Sequence, residues 1–236
     1  MAACAAGQTP AEFAAASVKS ASAGTTRGHW QTGPGSITMT NVTLRAAVQW
    51  AYDLKPYQFS GPGWMDEERF DITARSEGRV PTAQLRAMMQ RLLAQRFQLA
   101  IHRESRQTAG YALTVAKNGP KLRPSTDNGP AEIGPGSEGG LFLTAHRVAI
   151  SRLADVMAEH LRAPVIDRTG LTGKYDFTLD LMPYVPDDAT ENSVTADLAG
   201  MLSTALQQQL GLKLEARPVT IDVVVVDRAE RAPTEN

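Results

Sequence analysis

The pentad "RFDIT", Arg69 to Thr73, has an echo in "KYDFT", Lys174 to Thr178. Each holds a base, an aromatic, an aspartate, an apolar residue and a threonine in the same order. A repeat constrains a chain more than any single motif, because two copies must solve the same packing problem. The match extends outward in both directions. Upstream stand "ITMTNVTLRAAVQWAYDL" (37–54) and "LFLTAHRVAISRLADVMAEHL" (141–161), each a strand-like run that turns to helical spacing. Leu44, Ala47, Val48 and Ala51 share one helical face, as do Ile150, Leu153, Ala154, Met157 and Leu161. Thr43 is positioned to cap the first helix through its hydroxyl.

Downstream, Leu85, Met88, Met89, Leu92, Leu93 and Phe97 recur on one helical face. Leu198, Met201, Leu202, Ala205, Leu206 and Leu210 do the same in the second copy. Thr82 and Thr195 precede these runs as candidate N-caps. Alternating strands follow, through Phe97, Leu99 and Ile101 and through Leu210, Leu212 and Leu214. A closing strand ends each half, "GYALTVAK" and "TIDVVVVDR". The expected fold is α+β, two tandem halves of order β-α-β-β-α-β-β packed as a pseudo-symmetric unit. The first half covers 17–117 and the second 141–230, with tails at 1–16 and 231–236. Between the halves, 118–140 holds six glycines and four prolines and reads as a linker.

Bulk properties narrow the function classes. A net charge of −1 supplies no positive field for nucleic acid. The longest aliphatic run, Val223 to Val226, is far short of the roughly 20 residues of a spanning helix. The alanine-rich start "MAACAAGQTPAEFAAAS" reads as the small-residue end of a secretory signal, with Cys4 a candidate acylation site for a lipid anchor. Cys4 is the single cysteine, so an internal disulfide is ruled out. The expected location is extracytoplasmic, periplasmic or secreted.

Complete catalytic motifs are missing. His29, His102, His146 and His160 show no metal spacing, and neither a phosphate loop nor a GxSxG elbow occurs, so no metal or cofactor is expected. Between Tyr175 and Leu212 there is no lysine or arginine, and Asp176, Asp180, Asp187, Asp188, Glu191 and Asp197 fall there. Clustered carboxylates suit calcium, yet "PDDATEN" lacks a calcium loop's spacing and glycine, and a solvated acidic loop is the expectation. Asp71, His102, Asp167 and Asp176 are the candidate catalytic residues. Tyr57, Trp64 and Tyr175 are the candidate binding aromatics. The competing structural reading is that Asp71 and Asp176 hold loop backbones by hydrogen bonds while the aromatics fill the core.

Several stretches carry a family resemblance: "FAAASVKSA" (13–21), "NVTLRAAVQWAYDL" (41–54), "SGPGWMDEERFDITA" (60–74), "LLAQRFQLAIHRE" (92–104) and "YALTVAKNGPKLRPS" (111–125). "PVIDRTGLTGKYDFTLDL" (164–181) and the C-terminal "LQQQLGLKLEARPVTIDVVVVDRAERAPTEN" (206–236) complete the set. Over nearly its whole length the chain resembles a family of secreted proteins of unknown function expanded in soil bacteria. The resemblance implies export, and in some members fusion to the outer end of a membrane peptidase similar to beta-lactam sensors. It assigns no reaction. The "NVTLRAAV" start also resembles, in fold only, the short N-terminal domain of secretins and TonB-dependent receptors. The expected function is an extracytoplasmic binding or interaction module for a protein, peptide or envelope component. The rival expectation is a secreted hydrolase of an ester, glycan or peptide that uses the carboxylates or His102.

Overall fold

Thr43 and the apolar stripe behind it start the first helix. Its hydroxyl accepts from the Ala46 N–H at 3.2 Å, and α1 (Leu44–Tyr52) buries Leu44, Ala47, Val48 and Ala51. This is a computed structural model, describing residues 12–21, 28–136, 142–186 and 197–234. The described residues contain four α-helices and three sheets, an α+β fold. They divide into two compact units, one drawn from Met1–Ser105 and Asp222–Asn236, the other from Arg106–Ile221.

In the first unit, β1 (Ala15–Ser20), β2 (His29–Gly33), β3 (Ser36–Thr43) and β5 (Arg69–Arg75) form an antiparallel sheet ordered β1-β5-β3-β2. The short β4 (Phe59–Ser60) pairs in parallel with Val224 and Val225 of β12 (Leu212–Arg228). The strands alternate, so Ile37 and Met39 of β3 and Phe70, Ile72 and Ala74 of β5 face the core. Against them pack α1 and α2 (Thr82–Phe97), which buries all six apolar residues of its predicted face. Phe70 and Phe97 meet edge to face with ring centres 4.9 Å apart. Thr82 does not cap α2: Pro81 holds the N-cap position and Thr82 is the first helical residue, because proline's fixed φ and missing N–H suit a helix start.

The register of β3 against β5 slips between Met39 and Val42. Asn41 sits in that bulge with φ of 53°, the left-handed region, and is 3% exposed. A bulged residue cannot pair its own amide in the ladder. Asp71 supplies the acceptor, its Oδ1 taking the Asn41 N–H at 2.8 Å, while Arg69 donates to the Asn41 carbonyl at 3.0 Å.

The second unit contains a sheet ordered β7-β11-β9-β8, from β7 (Arg123–Pro124), β8 (Glu132–Pro135), β9 (Phe142–Ala149) and β11 (Lys174–Asp180). Here β9 bulges against β11, with Arg147 at φ of 56° and its N–H donated to Asp176 Oδ1 at 2.7 Å. The helix α3 (Ile150–Leu161) buries Ile150, Leu153, Ala154 and Met157, and β10 (Val165–Asp167) pairs in parallel with β6 (Ala100–Val115) at Tyr111–Leu113. The last helix, α4 (Leu198–Ala205), widens into a π-helical turn over Leu206–Leu210. That turn presents Gln209 to the edge of β11, where its amide accepts the Asp180 N–H at 3.0 Å and donates to the Asp180 carbonyl at 2.6 Å. Gly211 ends the turn at φ of 65°, and a Cβ there would lie 2.2 Å from the Gly119 carbonyl oxygen, so only glycine fits.

Three sequence expectations change. The stretch 118–140, read as a linker, contributes β7 and β8, since edge pairing needs backbone groups and tolerates proline where no N–H is required. The two strands expected after each long helix are single continuous strands, β6 and β12, because neither Ser105–Ala109 nor Ala216–Thr220 carries a two-residue hairpin dipeptide. Tyr175 is half-buried rather than a core residue like Phe70. Thr195 and Cys4 lie outside the described residues.

Removing either bulge acceptor leaves a backbone N–H without its partner. Asp71→Ala and Asp176→Ala are each expected to lower unfolding free energy by about 1–3 kcal/mol in chemical denaturation. A loss indistinguishable from that of an exposed surface aspartate contradicts the assignment.

Candidate functional site

Opposite the polar face of its sheet, the second unit holds a partly open apolar cavity of about 340 Å³. Its walls come from five elements. Ile133, Gly134 and Pro135 of β8 and Leu143 of β9 form one side, with Leu179 and Leu181 at the end of β11. Leu153, Val156, Met157 and His160 of α3 and Leu198 and Leu202 of α4 form the other. The α3 residues recur at three and four, so one helical face lines the space. His160 is the single titratable lining residue, an exposed imidazole in the last turn of α3. The chemistry on offer is aliphatic contact along the walls and one hydrogen bond at the rim.

The β8 wall is held by an ion pair. Arg147 donates to both carboxylate oxygens of Asp127 at 2.8 and 2.9 Å and to the Pro130 carbonyl at 2.6 Å, fastening the loop that leads into β8. The Arg147 hydrogen bond holds the Asp127 carboxyl below its ordinary value of 3.8, with its charge adding to the effect.

The residues singled out from sequence occupy separate places. Asp71 and Asp176 serve the bulge amides. Asp167 Oδ1 accepts from the Thr169 amide at 2.9 Å and hydroxyl at 2.7 Å, closing the turn after β10. His102, on β6 in the first unit, has Nδ1 2.8 Å from Asp227 Oδ1 and Nε2 3.9 Å from Glu104 Oε2. Trp64 carries the Arg231 guanidinium 5.6 Å from its ring centre, so one face is already stacked. Tyr57 lies half-buried in the 3-10 turn Pro56–Gln58 of the first unit, and Tyr175, in the second, packs its hydroxyl end by Gly173. Of the acidic stretch, Asp187, Asp188 and Glu191 fall outside the described residues. Among the described residues, no cluster of three or more His, Cys, Asp or Glu is placed to hold a metal, and no helix is long and apolar enough to cross a membrane.

The profile of the family described as "Protein of unknown function (DUF3738)" matches residues 45–229, well over half of the chain. The chain belongs to the DUF3738 family. No curated protein and no solved structure matches it. The DUF3738 match runs from α1 to the end of β12 and includes every residue that lines the cavity. The sequence reading of this DUF3738 chain missed the cavity, because Leu143, Leu153 and Leu179 carry the same periodic signal as residues that fill a core.

The pH dependence of the β8 clamp is set by the direction of this shift. A carboxyl depressed in the folded state contributes above its unfolded value and loses that contribution as pH falls through the folded one. The clamp is therefore expected to hold at neutral pH and release only below pH 3.8. An NMR titration should place the Asp127 midpoint below that value, and Arg147→Gln should return it upward. An unchanged midpoint in Arg147→Gln contradicts the pairing.

Proposed function

We propose that this DUF3738 protein is an extracytoplasmic binding module without a reaction of its own, and that its ligand inserts an aliphatic group into the second unit's cavity. The cavity carries this reading, because its volume and apolar lining suit a side chain or acyl chain. The shared chemistry is a branched or linear hydrocarbon with a polar end near His160, supplied by a peptide or by an envelope lipid. The alanine-rich N-terminus supports export, with Cys4 as a candidate anchor.

The hydrolase reading has one observation in its favour, the His102–Asp227 pair. A hydrolase of the serine type needs a nucleophile on the other ring nitrogen. The neighbour there is Glu104, a carboxylate on the same strand and not a nucleophile, so the arrangement favours a surface hydrogen bond between His102 and Asp227.

We also infer that the two units are copies of one segment. Support comes from the matching sheet orders, from the bulge residues Asn41 and Arg147 held by Asp71 and Asp176, and from left-handed helix ends at Asp53, Arg162, Gln98 and Gly211. The closing strand of each sequence half then belongs to the other compact unit: Arg106–Val115 of β6 groups with the second, and Asp222–Arg228 of β12 with the first.

The test is thermal unfolding with decanoate and, separately, with a neutral leucine-containing tripeptide. A ligand at a hundredfold excess over Kd stabilises the folded protein by about 2.7 kcal/mol. One of the two is expected to raise the melting temperature in the natural protein and not in Val156→Trp, whose half-exposed wall position lets the indole fill the space. No shift with either, or an equal shift in Val156→Trp, contradicts the proposal.

A further inference from the structure

The first unit's sheet ends in β2, and its edge differs from the other edges of more than three residues among the described strands. The β1 strand carries Lys19 near its end, and β8 carries Glu132 and Pro135. Charges and prolines of this kind keep an edge from pairing with another chain. The β2 sequence, His-Trp-Gln-Thr-Gly, has neither a charged carboxylate or amine nor a proline.

The direction of its free backbone groups is set by the turn. Gly33 and Ser36 close a two-residue connection of Pro34 and Gly35, with Gly35 at φ of 97°. The closing pair of such a hairpin is hydrogen-bonded, and bonded pairs alternate. Gln31 with Thr38 and His29 with Thr40 are therefore the next bonded pairs. The N–H and C=O of Trp30 and Thr32 consequently point away from β3. Trp30 lies across from Met39, so its indole is on the sheet face that elsewhere forms the core. Yet Met39 is 1% exposed while Trp30 is 53% exposed, one of two exposed large apolar side chains among the described residues. The core-facing side of the sheet thus runs on past its helix cover to an indole beside backbone groups that no strand among the described residues pairs.

We propose that β2 is a strand-addition site for an extended, uncharged peptide segment of a partner protein. The peptide hydrogen-bonds the Trp30 and Thr32 backbone and lays an aliphatic or aromatic side chain over the Trp30 ring. A second copy of this chain is the less suitable occupant. Five residues make an edge about 17 Å long, and pairing two such edges falls well short of the ~1,200 Å² that a stable association buries. A single peptide strand needs no more than this edge. The β2 residues beside which the segment lies, Trp30, Gln31 and Thr32, carry no charge and favour a neutral segment over an acidic or basic one. The site lies in the first unit and does not rest on the cavity reading.

A displayed library of random linear heptapeptides, selected against the full chain, tests this. Enriched peptides are expected to alternate, with an apolar residue at every second position, and to bind about tenfold more weakly to Thr32→Pro. Proline there removes an edge-facing N–H and leaves the β2–β3 bonds in place. Trp30→Ala should weaken binding comparably, and circular dichroism and the melting temperature should confirm that both variants fold. Methylating alternate amides of an enriched peptide should abolish binding in one phase of the alternation and not in the other. An unchanged oligomeric state by light scattering accompanies this result. Concentration-dependent dimerisation lost in Thr32→Pro shows that a second copy is the occupant and overturns the proposal. Failure to enrich any peptide, or binding that survives Thr32→Pro, overturns it as well.

Discussion

A carboxylate on one strand holding the bulged amide of its neighbour is the contact on which both sheets depend. A left-handed residue turns its N–H out of the ladder, and a buried amide without an acceptor costs roughly as much as a lost hydrogen bond. Asp71 and Asp176 remove that cost at Asn41 and Arg147. The bulge in turn sets the direction of the next elements along the chain. Val42 and Val148 return to the core side beyond it, and α1 and α3 start within two residues of them, their apolar faces already turned inward. The echoed pentads therefore have a structural reason to share an aspartate.

The helices were legible because their periodicity is a direct record of one buried face. The predicted stripes of α1 and α2 coincide with the residues that are buried. A backbone hydrogen-bond role for Asp71 and Asp176 was one of two sequence readings, made for loop backbones, whereas the amides they hold are those of strand bulges. Strands β7 and β8 were not legible: they are held by backbone pairing and leave no alternating pattern in a stretch rich in glycine and proline. Nor was the cavity, whose leucines and valine are chemically the same as core residues. Only their three-dimensional arrangement leaves a space between α3, α4 and the sheet. The Arg147–Asp127 clamp joins residues 20 apart in sequence, one of them in the stretch read as a linker, so nothing local announces it.

The two surfaces offered for recognition differ in kind. In the proposed binding role the cavity selects by hydrocarbon shape, with its β8 wall fastened by an ion pair that neutral pH leaves intact. The β2 edge selects by backbone, with Trp30 adding one apolar contact. Both uses leave the carboxylates of the pentads as scaffold, and both rely on a fold whose bulges are held in place by those carboxylates.

The claim about the bulge is most directly tested by amide hydrogen exchange at Asn41 in the natural protein and in Asp71→Ala. Slow exchange is expected in the natural protein, and in the variant it should accelerate well beyond the general increase seen in the α1 and α2 amides. Acceleration at Asn41 equal to that of the helices would show that Asp71 does not hold the bulge, and would contradict the account.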